Sequence, residues 1–376
     1  MAPRILILSA SIGEGHDHPA RMLAAGITAV CPAAEVAIHD GLQAMGRASV
    51  LLADSGSATI FTRFGAIYDV TYALLARLAP TRWVLKRLTV ALGARGLTRF
   101  VAGQRPDVVV STHPGVTEAL GGLRRRGRIM VPVVSAVTDL AGLHYWVHPA
   151  VDLHLLTEVE SLPEVRRIAP AAPAVVVRGL TAPEFDVACD PGAARAALGL
   201  PAEGPVIVVS GGGWAIGDLG GAARAALDAD PQATVLVLCG RRDDVRADLT
   251  ARFADEPRVR ALGFTDAMGV VLGAADVLIH STAGLTVFEA RVRGARVISY
   301  GWGRAHIRLN NAAYRRLGLA QVVTSPPGLA AALARALAAP RVPLTEYGRR
   351  PAAAAQVLAL AAGSAGADPN RGEVGS

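Results

Sequence analysis

The chain holds only three cysteines in 376 residues, and Cys31, Cys189 and Cys239 form no CxxC pair and no metal-ligand spacing. A disulfide framework is thereby excluded, a structural zinc site is not indicated, and a reducing cytoplasm is the expected compartment. Long apolar runs are missing too. Arg77, Arg82, Lys86, Arg87, Arg95 and Arg99 interrupt the longest apolar region, so no stretch near the ~20 residues of a spanning helix is free of charge. Ile5–Leu8 is too short for the core of a signal peptide, meets a glycine turn at once, and is expected to be the first strand. No G-x-x-x-x-G-K-[ST] loop is present, which argues against an ATP-driven enzyme. Charged residues are few at 18%, against 52% hydrophobic, which excludes a disordered chain and leaves material for large cores. Lysine is scarce beside arginine, a bias of composition that carries no mechanism by itself.

What is present is organised in two halves. Arg4 to Ala20 reads as an apolar run, a glycine-bracketed bend and a helix start that delivers His16. Val206 to Leu219 repeats the scheme around Gly211, Gly212 and Gly213. A strand followed by such a bend and a helix turns backbone N–H groups and a helix N-terminus toward an anion or a reacting centre. The length exceeds the roughly 250–300 residues at which one core stops growing, so two α/β domains with a cleft between them are expected. Short β-branched runs support this: ILIL, EVAIHD, DVVVSTHP, VPVVSAVTD, VDLHLLT and AVVVRGL in the first half, then VIVVSGGG, TVLVLCG, VRALGF, DVLIHS and RVISYGW. Strands alternating with helices imply parallel sheets covered on both faces. The expected division is a domain over 1–180, a second over 181–345, a helix over 346–362 that packs back, and a disordered tail over 363–376.

Charge is unevenly spread. Between Phe61 and Arg105, eight basic residues stand against Asp69 alone, so the whole net charge of +7 sits in this segment. Phe61, Phe64, Tyr68, Tyr72, Trp83 and Phe100 are interleaved, and TYALLARLAP and VLKRLTVAL read as amphipathic helices with one basic side. Arg77, Arg82, Trp83, Lys86 and Arg87 are the candidate contacts to an anionic membrane surface, where each basic side chain contributes about 1 kcal/mol. A merely solvated basic face and an RNA-binding segment compete with this reading. No nucleic-acid module is recognisable, and the aromatics are at helical spacing, so no nucleic-acid partner is expected. Arg124, Arg125, Arg126 and Arg128 form a second basic cluster. Asp228-Ala229-Asp230 spells a D-x-D, but lies where a helix ends and reads as solvated surface. His16, Asp17 and His18 are too close together to ligate as H-E-x-x-H does, so no metal is expected.

Four blocks in order carry a resemblance: S-x-G-x-G-H at Ser11 to His16, TDLAGLHYWVHPAVD at Thr138 to Asp152, VRGLTAPEF at Val177 to Phe185 and STAGLTVFEA at Ser281 to Ala290. Together they resemble the monogalactosyldiacylglycerol synthase family, and the second half is similar to the C-terminal domain of the peptidoglycan lipid-intermediate N-acetylglucosaminyltransferase. The resemblance spans about Arg4 to Val323. It implies a glycosyltransferase of two facing Rossmann-like domains (the GT-B arrangement) that moves a hexose from a UDP-sugar to a lipid hydroxyl with inversion. UDP-sugar is then the donor substrate, and no separate cofactor is implied.

The nucleotide would lie in the second domain. Glu289 can accept both ribose hydroxyls as a bidentate carboxylate. The N–H groups of the Thr282, Ala283 and Gly284 loop and of Gly211 to Gly213 can cradle the diphosphate, with Arg178 as a further donor to its charge. Phe264 resembles the position that packs the uracil ring; a core aromatic is the alternative. His306 and Asn310 resemble the sugar-binding segment. There the usual P-G-Q-E-x-x-N run is replaced by Trp302, Gly303, Arg304 and Ala305, so the resemblance does not specify the hexose. His16 matches the family's histidine, and histidine as a residue type titrates near the working pH, which suits it to taking the acceptor's proton, while Asp139, at the end of a strand, could serve instead or orient it. The expected location is cytoplasmic, peripheral on the inner face of the cell membrane. Alternatives are a soluble or polyprenyl-linked acceptor, a UDP-sugar epimerase, and a non-catalytic nucleotide-binding protein.

Overall fold

The computed structural model describes residues 2–10, 14–51, 78–301, 303 and 305–365, without the side chains of residues 305, 306, 364 and 365. Two compact units divide the chain: Met1–Thr181 with Arg350–Ser376, and Ala182–Arg349. Each is built on a six-stranded, all-parallel sheet, and together these are two Rossmann-like domains.

In the first unit the strands are β1 (Arg4–Ser9), β2 (Glu35–Asp40), β3 (Val108–Ser111), β4 (Val133–Val137), β5 (Leu153–Leu156) and β6 (Ala174–Val176), in the order β2-β1-β3-β4-β5-β6. The apolar runs of β1, β3 and β4 follow from burial on both faces, whereas the edge strands β2 and β6 are only partly buried. Ile5 and Ile7 of β1 point toward Leu23 and Ile27 of helix α1 (Glu14–Val30), whereas Leu6 and Leu8 join Leu97, Val101, Val116 and Leu120 on the opposite face. Those four residues come from helices α3 (Ala79–Gln104) and α4 (Pro114–Arg125); the short α2 (Gly41–Met45) precedes them, capped by Asp40, whose carboxylate accepts from Leu42 N–H at 2.8 Å. Helix α5 (Leu162–Ile168) lies between β5 and β6.

The second unit contains β7 (Val206–Ser210), β8 (Thr234–Leu238), β9 (Val259–Leu262), β10 (Val277–His280), β11 (Arg296–Tyr300) and β12 (Gln321–Val323), ordered β12-β11-β10-β7-β8-β9. Its helices are α6 (Pro191–Ala197), α7 (Leu219–Ala229), α8 (Asp243–Arg252), α9 (Met268–Ala274), α10 (Leu285–Arg293), α11 (Ala305–Leu317) and α12 (Pro326–Leu337). The last helix, α13 (Ala353–Ala365), belongs to the first unit: Val357 and Ala361 are fully buried in the core it shares with α1. The tail beyond residue 365 lies outside the described residues.

Two expectations need correction. The strand Gln321–Val323 was not anticipated; three residues at a sheet edge, half-buried throughout, leave no periodicity to read. The basic segment also differs from a pair of helices with one charged side. TYALLARLAP begins outside the described residues, as does Arg77, and VLKRLTVAL lies within the single 26-residue α3. Its charges divide. Arg87 is exposed and stacks on Trp83 at 4.0 Å, while Lys86 turns inward to Glu118 at 2.6 Å, because the face of α3 that meets α4 brings a buried carboxylate with it. Arg124 of the second basic cluster is likewise neutralised by a two-point contact with Asp152, both at 2.8 Å. Among the described residues no helix is long and apolar enough to cross a membrane.

Helix α3 comes so close to α2 that a Cβ on Gly96 would stand 2.6 Å from the Met45 carbonyl oxygen. Backbone cannot yield as a side chain does, so Gly96→Ala should destabilise the first unit by about 1–3 kcal/mol, read as a lower urea midpoint with an unchanged slope.

Candidate active site

In an open parallel sheet, ligands gather at the carboxyl ends of strands where the strand order reverses, since loops leaving in opposite directions open a crevice there. In the first unit the reversal lies between β1 and β3. His16, in the first turn of α1 after β1, meets the residues following β3 at that point. Its Nδ1 lies 2.8 Å from the Thr112 carbonyl oxygen. A carbonyl only accepts, so Nδ1 carries the proton and the lone pair of the neutral ring is on Nε2, the tautomer of a general base. The helix start is held by Ser9, whose hydroxyl donates to Asp17 at 2.5 Å, and by an ion pair of Glu14 with Arg21 at 2.5 Å. Ser11–Gly13 of the glycine bend lie outside the described residues.

Two rings contact His16. His113 meets it edge to face, ring centroids 4.8 Å apart, and Trp146 lies tilted at 5.8 Å. Nδ1 of His113 accepts from Val116 N–H at 3.4 Å and caps α4. Desolvation, then the neighbouring His16, holds the His113 pKa well below the usual imidazole value. The Asp139 carboxylate accepts from the indole Nε1–H of Trp146 at 2.9 Å.

Beside this group sits the Lys86–Glu118 pair. Burial pushes the Glu118 carboxyl up against the pull of Lys86, and Lys86 Nζ stands 5.4 Å from the centre of the Tyr145 ring. Burial and Glu118 push the Tyr145 phenol up to about 12. Burial lowers His144 and His148 to about 4 each, helped by the cationic Arg82 and Lys86 near the first and by Lys86 and Arg125 near the second.

In the second unit the strand order reverses between β7 and β10. The bend after β7 places Gly212 at φ +67°, where an added Cβ would stand 2.9 Å from Thr282 Oγ1 on the loop after β10. That loop is itself unusual: Ala283 has φ +60° and Gly284 φ +85°, and the second is the N-cap of α10. A buried imidazole holds it. His280 Nε2 donates to the Ala283 carbonyl at 3.0 Å and lies 2.9 Å from Thr282 Oγ1, and desolvation lowers this histidine to about 4. Successive left-handed residues before a helix turn N–H groups to one side, a concavity suited to an anion. Phe264 follows β9 at the same sheet edge, 43% exposed, with the Arg241 guanidinium stacked 3.9 Å from its centre. Arg241 N–H in turn donates to the Gly213 carbonyl at 2.9 Å. Glu289, in the second turn of α10, is buried, and desolvation followed by the charge of Glu184 pushes its carboxyl up to about 8.

The chain matches the family model for monogalactosyldiacylglycerol synthase over residues 16–173. It is 31% identical over 306 residues to the UDP-N-acetylglucosamine–N-acetylmuramyl-(pentapeptide) pyrophosphoryl-undecaprenol N-acetylglucosamine transferase of Salinibacter ruber, covering 79% of this chain and 76% of that one. The chain belongs to the glycosyltransferase family that unites these two enzymes. A processive diacylglycerol β-glucosyltransferase of Staphylococcus saprophyticus is 23% identical over 68% of each chain. Among solved structures, the glycosyltransferase SnogD of Streptomyces nogalater shares the fold with a TM-score of 0.57 and 18% identity, covering 97% of this chain and 100% of its own.

Within each unit of this glycosyltransferase the structure brings some of the expected site residues together. His16 and Asp139 meet through Trp146. Gly211, Gly212, Gly213, Thr282, Ala283, Gly284 and Phe264 follow strands that end on one edge of the second sheet. Arg178 belongs to the first unit, where its Nε donates to the Arg350 carbonyl at 3.1 Å. Asn310 is fully buried in α11, and His306 lies in the first turn of that helix. The sequence reading passed over His113, Trp146, Arg241 and His280. His113, Arg241 and His280 each follow or end a predicted strand, which was the available signal; Trp146 lies seven residues beyond one and carried no such signal. Among the described residues no three His, Cys, Asp or Glu side chains are placed to hold a metal ion.

His144, His148 and His280 share one consequence. Their folded pKa values near 4 lie below the unfolded value of 6.5, so between those limits the unfolded chain binds more protons. Stability from this source is complete above about pH 6.5 and is lost as pH falls toward 4. Urea midpoints should therefore drop steadily from pH 6.5 to 4.5; a flat profile would contradict the burial of these rings.

Proposed function

We propose that this glycosyltransferase moves a hexose from a UDP-sugar to a lipid hydroxyl of the diacylglycerol type at a membrane surface, with inversion and without a metal. The observation that carries the proposal is His16 at the reversal point of the first sheet, its Nδ1 proton engaged by Thr112 and its lone pair on Nε2. The acceptor oxygen forms a bond to the anomeric carbon as the bond from that carbon to the diphosphate oxygen breaks. The acceptor proton passes to His16 Nε2, and the departing charge rests on UDP. A single displacement of this kind inverts the anomeric centre.

The second unit would hold the nucleotide, with its diphosphate on the Gly211–Gly213 and Thr282–Gly284 loops, uracil against Phe264 and Arg241, and ribose on Glu289. Donors preset toward a leaving charge stabilise it without reorganising, which is where most of the rate gain of such a site would come from. A lipid acceptor is supported by the diacylglycerol and undecaprenol substrates that the relatives' names record, and by exposed Trp83, Val84 and Leu88 beside Arg87 on α3. An apolar stripe with a cation at its border suits the boundary of headgroup and acyl chain.

The deciding assay supplies UDP-hexoses singly to the protein with diacylglycerol vesicles and measures UDP release; no release with any of them would overturn the proposal. His16→Ala should lower transfer about 10²- to 10⁴-fold while UDP binding survives, whereas Glu289→Ala should weaken UDP binding itself. Ribose hydroxyls donate to both oxygens of Glu289 only when it is ionised. Since its carboxyl is protonated below about pH 8 in the free protein, UDP binding at pH 7 should release up to one proton. Calorimetry in buffers of different ionisation enthalpy reads that number directly.

A further inference from the structure

We propose that Trp146, oriented by Asp139, and His113 form an aromatic clamp that stabilises the His16 imidazolium, so that Asp139 is a positioning residue and not the base. The inference rests on the reading of His16 as base and goes beyond it, because it assigns work to three residues that do not receive the proton. When the acceptor hydroxyl gives its proton to Nε2, His16 becomes a cation whose Nδ1–H remains on the Thr112 carbonyl at 2.8 Å. That cation lies 5.8 Å from the Trp146 ring centroid, within the roughly 6 Å over which an aromatic quadrupole attracts a positive charge, and the neutral His113 ring meets it edge to face at 4.8 Å. Trp146 is 1% exposed, so water does not compete for its face.

Each clamp residue is fixed by a separate contact. The Trp146 indole donates to Asp139 at 2.9 Å, and the backbone carbonyl of Trp146 accepts from Ser135 at 2.8 Å. His113 can serve only while neutral. Its Nδ1 is occupied as the acceptor that caps α4, and burial opposes a second proton. Among the described residues, the charged and titratable groups that flank or face His16 include Glu14, Asp17 and His18 on its own helix, His113 after β3, and Asp139 beyond Trp146 after β4. Glu14 is paired with Arg21 and Asp17 accepts from the Ser9 hydroxyl, while the Trp146 and His113 rings lie in direct contact with the imidazole.

Kinetics with UDP-sugar and diacylglycerol vesicles test this on the full chain. Trp146→Leu should lower kcat about 5- to 30-fold at constant KM for the UDP-sugar and move the acid limb of the kcat/KM profile about half a unit or more to lower pH, since the imidazolium loses support. Trp146→Phe keeps a ring, so its loss should be smaller, and it remains informative if the leucine variant fails to fold. Asp139→Ala should behave like Trp146→Phe, and Asp139→Asn, whose amide oxygen still accepts the indole N–H, should recover to within about fivefold. Loss of 10³-fold or more in Asp139→Asn would make Asp139 the base and overturn the clamp. So would an unmoved pH profile in a folded Trp146→Leu. Normal transfer by His16→Ala would instead refute the assignment of the base, which separates the two failures.

Discussion

The constraint on which the rest depends is that the strands of each sheet all run one way. A parallel sheet ends every strand at the same edge, and where the order reverses, between β1 and β3 and again between β7 and β10, consecutive loops part and leave room. Both candidate sites stand at these reversals. The Thr112 carbonyl shows how directly backbone topology becomes chemistry. It is the first residue after β3, its own N–H donates to the Leu8 carbonyl of β1, and its oxygen selects the His16 tautomer. Strand pairing thus decides which nitrogen can act as base.

Burial is the second organising force. Desolvation is the largest cause of the shifts at His113, His280, Glu118 and Glu289 alike, and in each case it favours the neutral form. The consequences differ with position. At His113 neutrality keeps a second cation from standing against the His16 ring. At His280 it leaves one donor, directed at Ala283, to hold a backbone turn that left-handed residues would otherwise pay for in strain. At Glu289 it keeps a carboxyl protonated up to about pH 8 inside the second unit. A chain with only 18% charged residues has few ionisable groups to place, and several of these are buried at the two reversal points.

Much of the fold was legible because burial on both faces makes parallel strands continuous apolar runs, and eleven of the twelve strands stand out as β-branched segments. The exception, Gln321–Val323, is too short and too marginal to announce itself. His16 was legible from its glycine bend. Trp146 was not: the same TDLAGLHYWVHPAVD block that carries the resemblance contains it, but only the tertiary fold brings an indole seven residues past Asp139 back onto that carboxylate and against a ring on another helix. Net charge misled in a similar way. A count of basic residues from Phe61 to Arg105 treats all of them as solvated, and cannot see that Glu118, far along the chain, will claim one of them.

That one is Lys86, the single lysine among 38 lysines and arginines. Wherever else this chain needs a cation it uses arginine, whose planar fork wants several acceptors at once, as Arg124 finds in Asp152 and two backbone carbonyls. At position 86 the available acceptors are one buried carboxylate at 2.6 Å and the face of Tyr145. A guanidinium there would bury donors without partners, each costing about 1–3 kcal/mol, whereas a compact ammonium leaves its remaining hydrogens toward the half-exposed side. The composition of the chain favours arginine, and the geometry between α3 and α4 overrules it at one position.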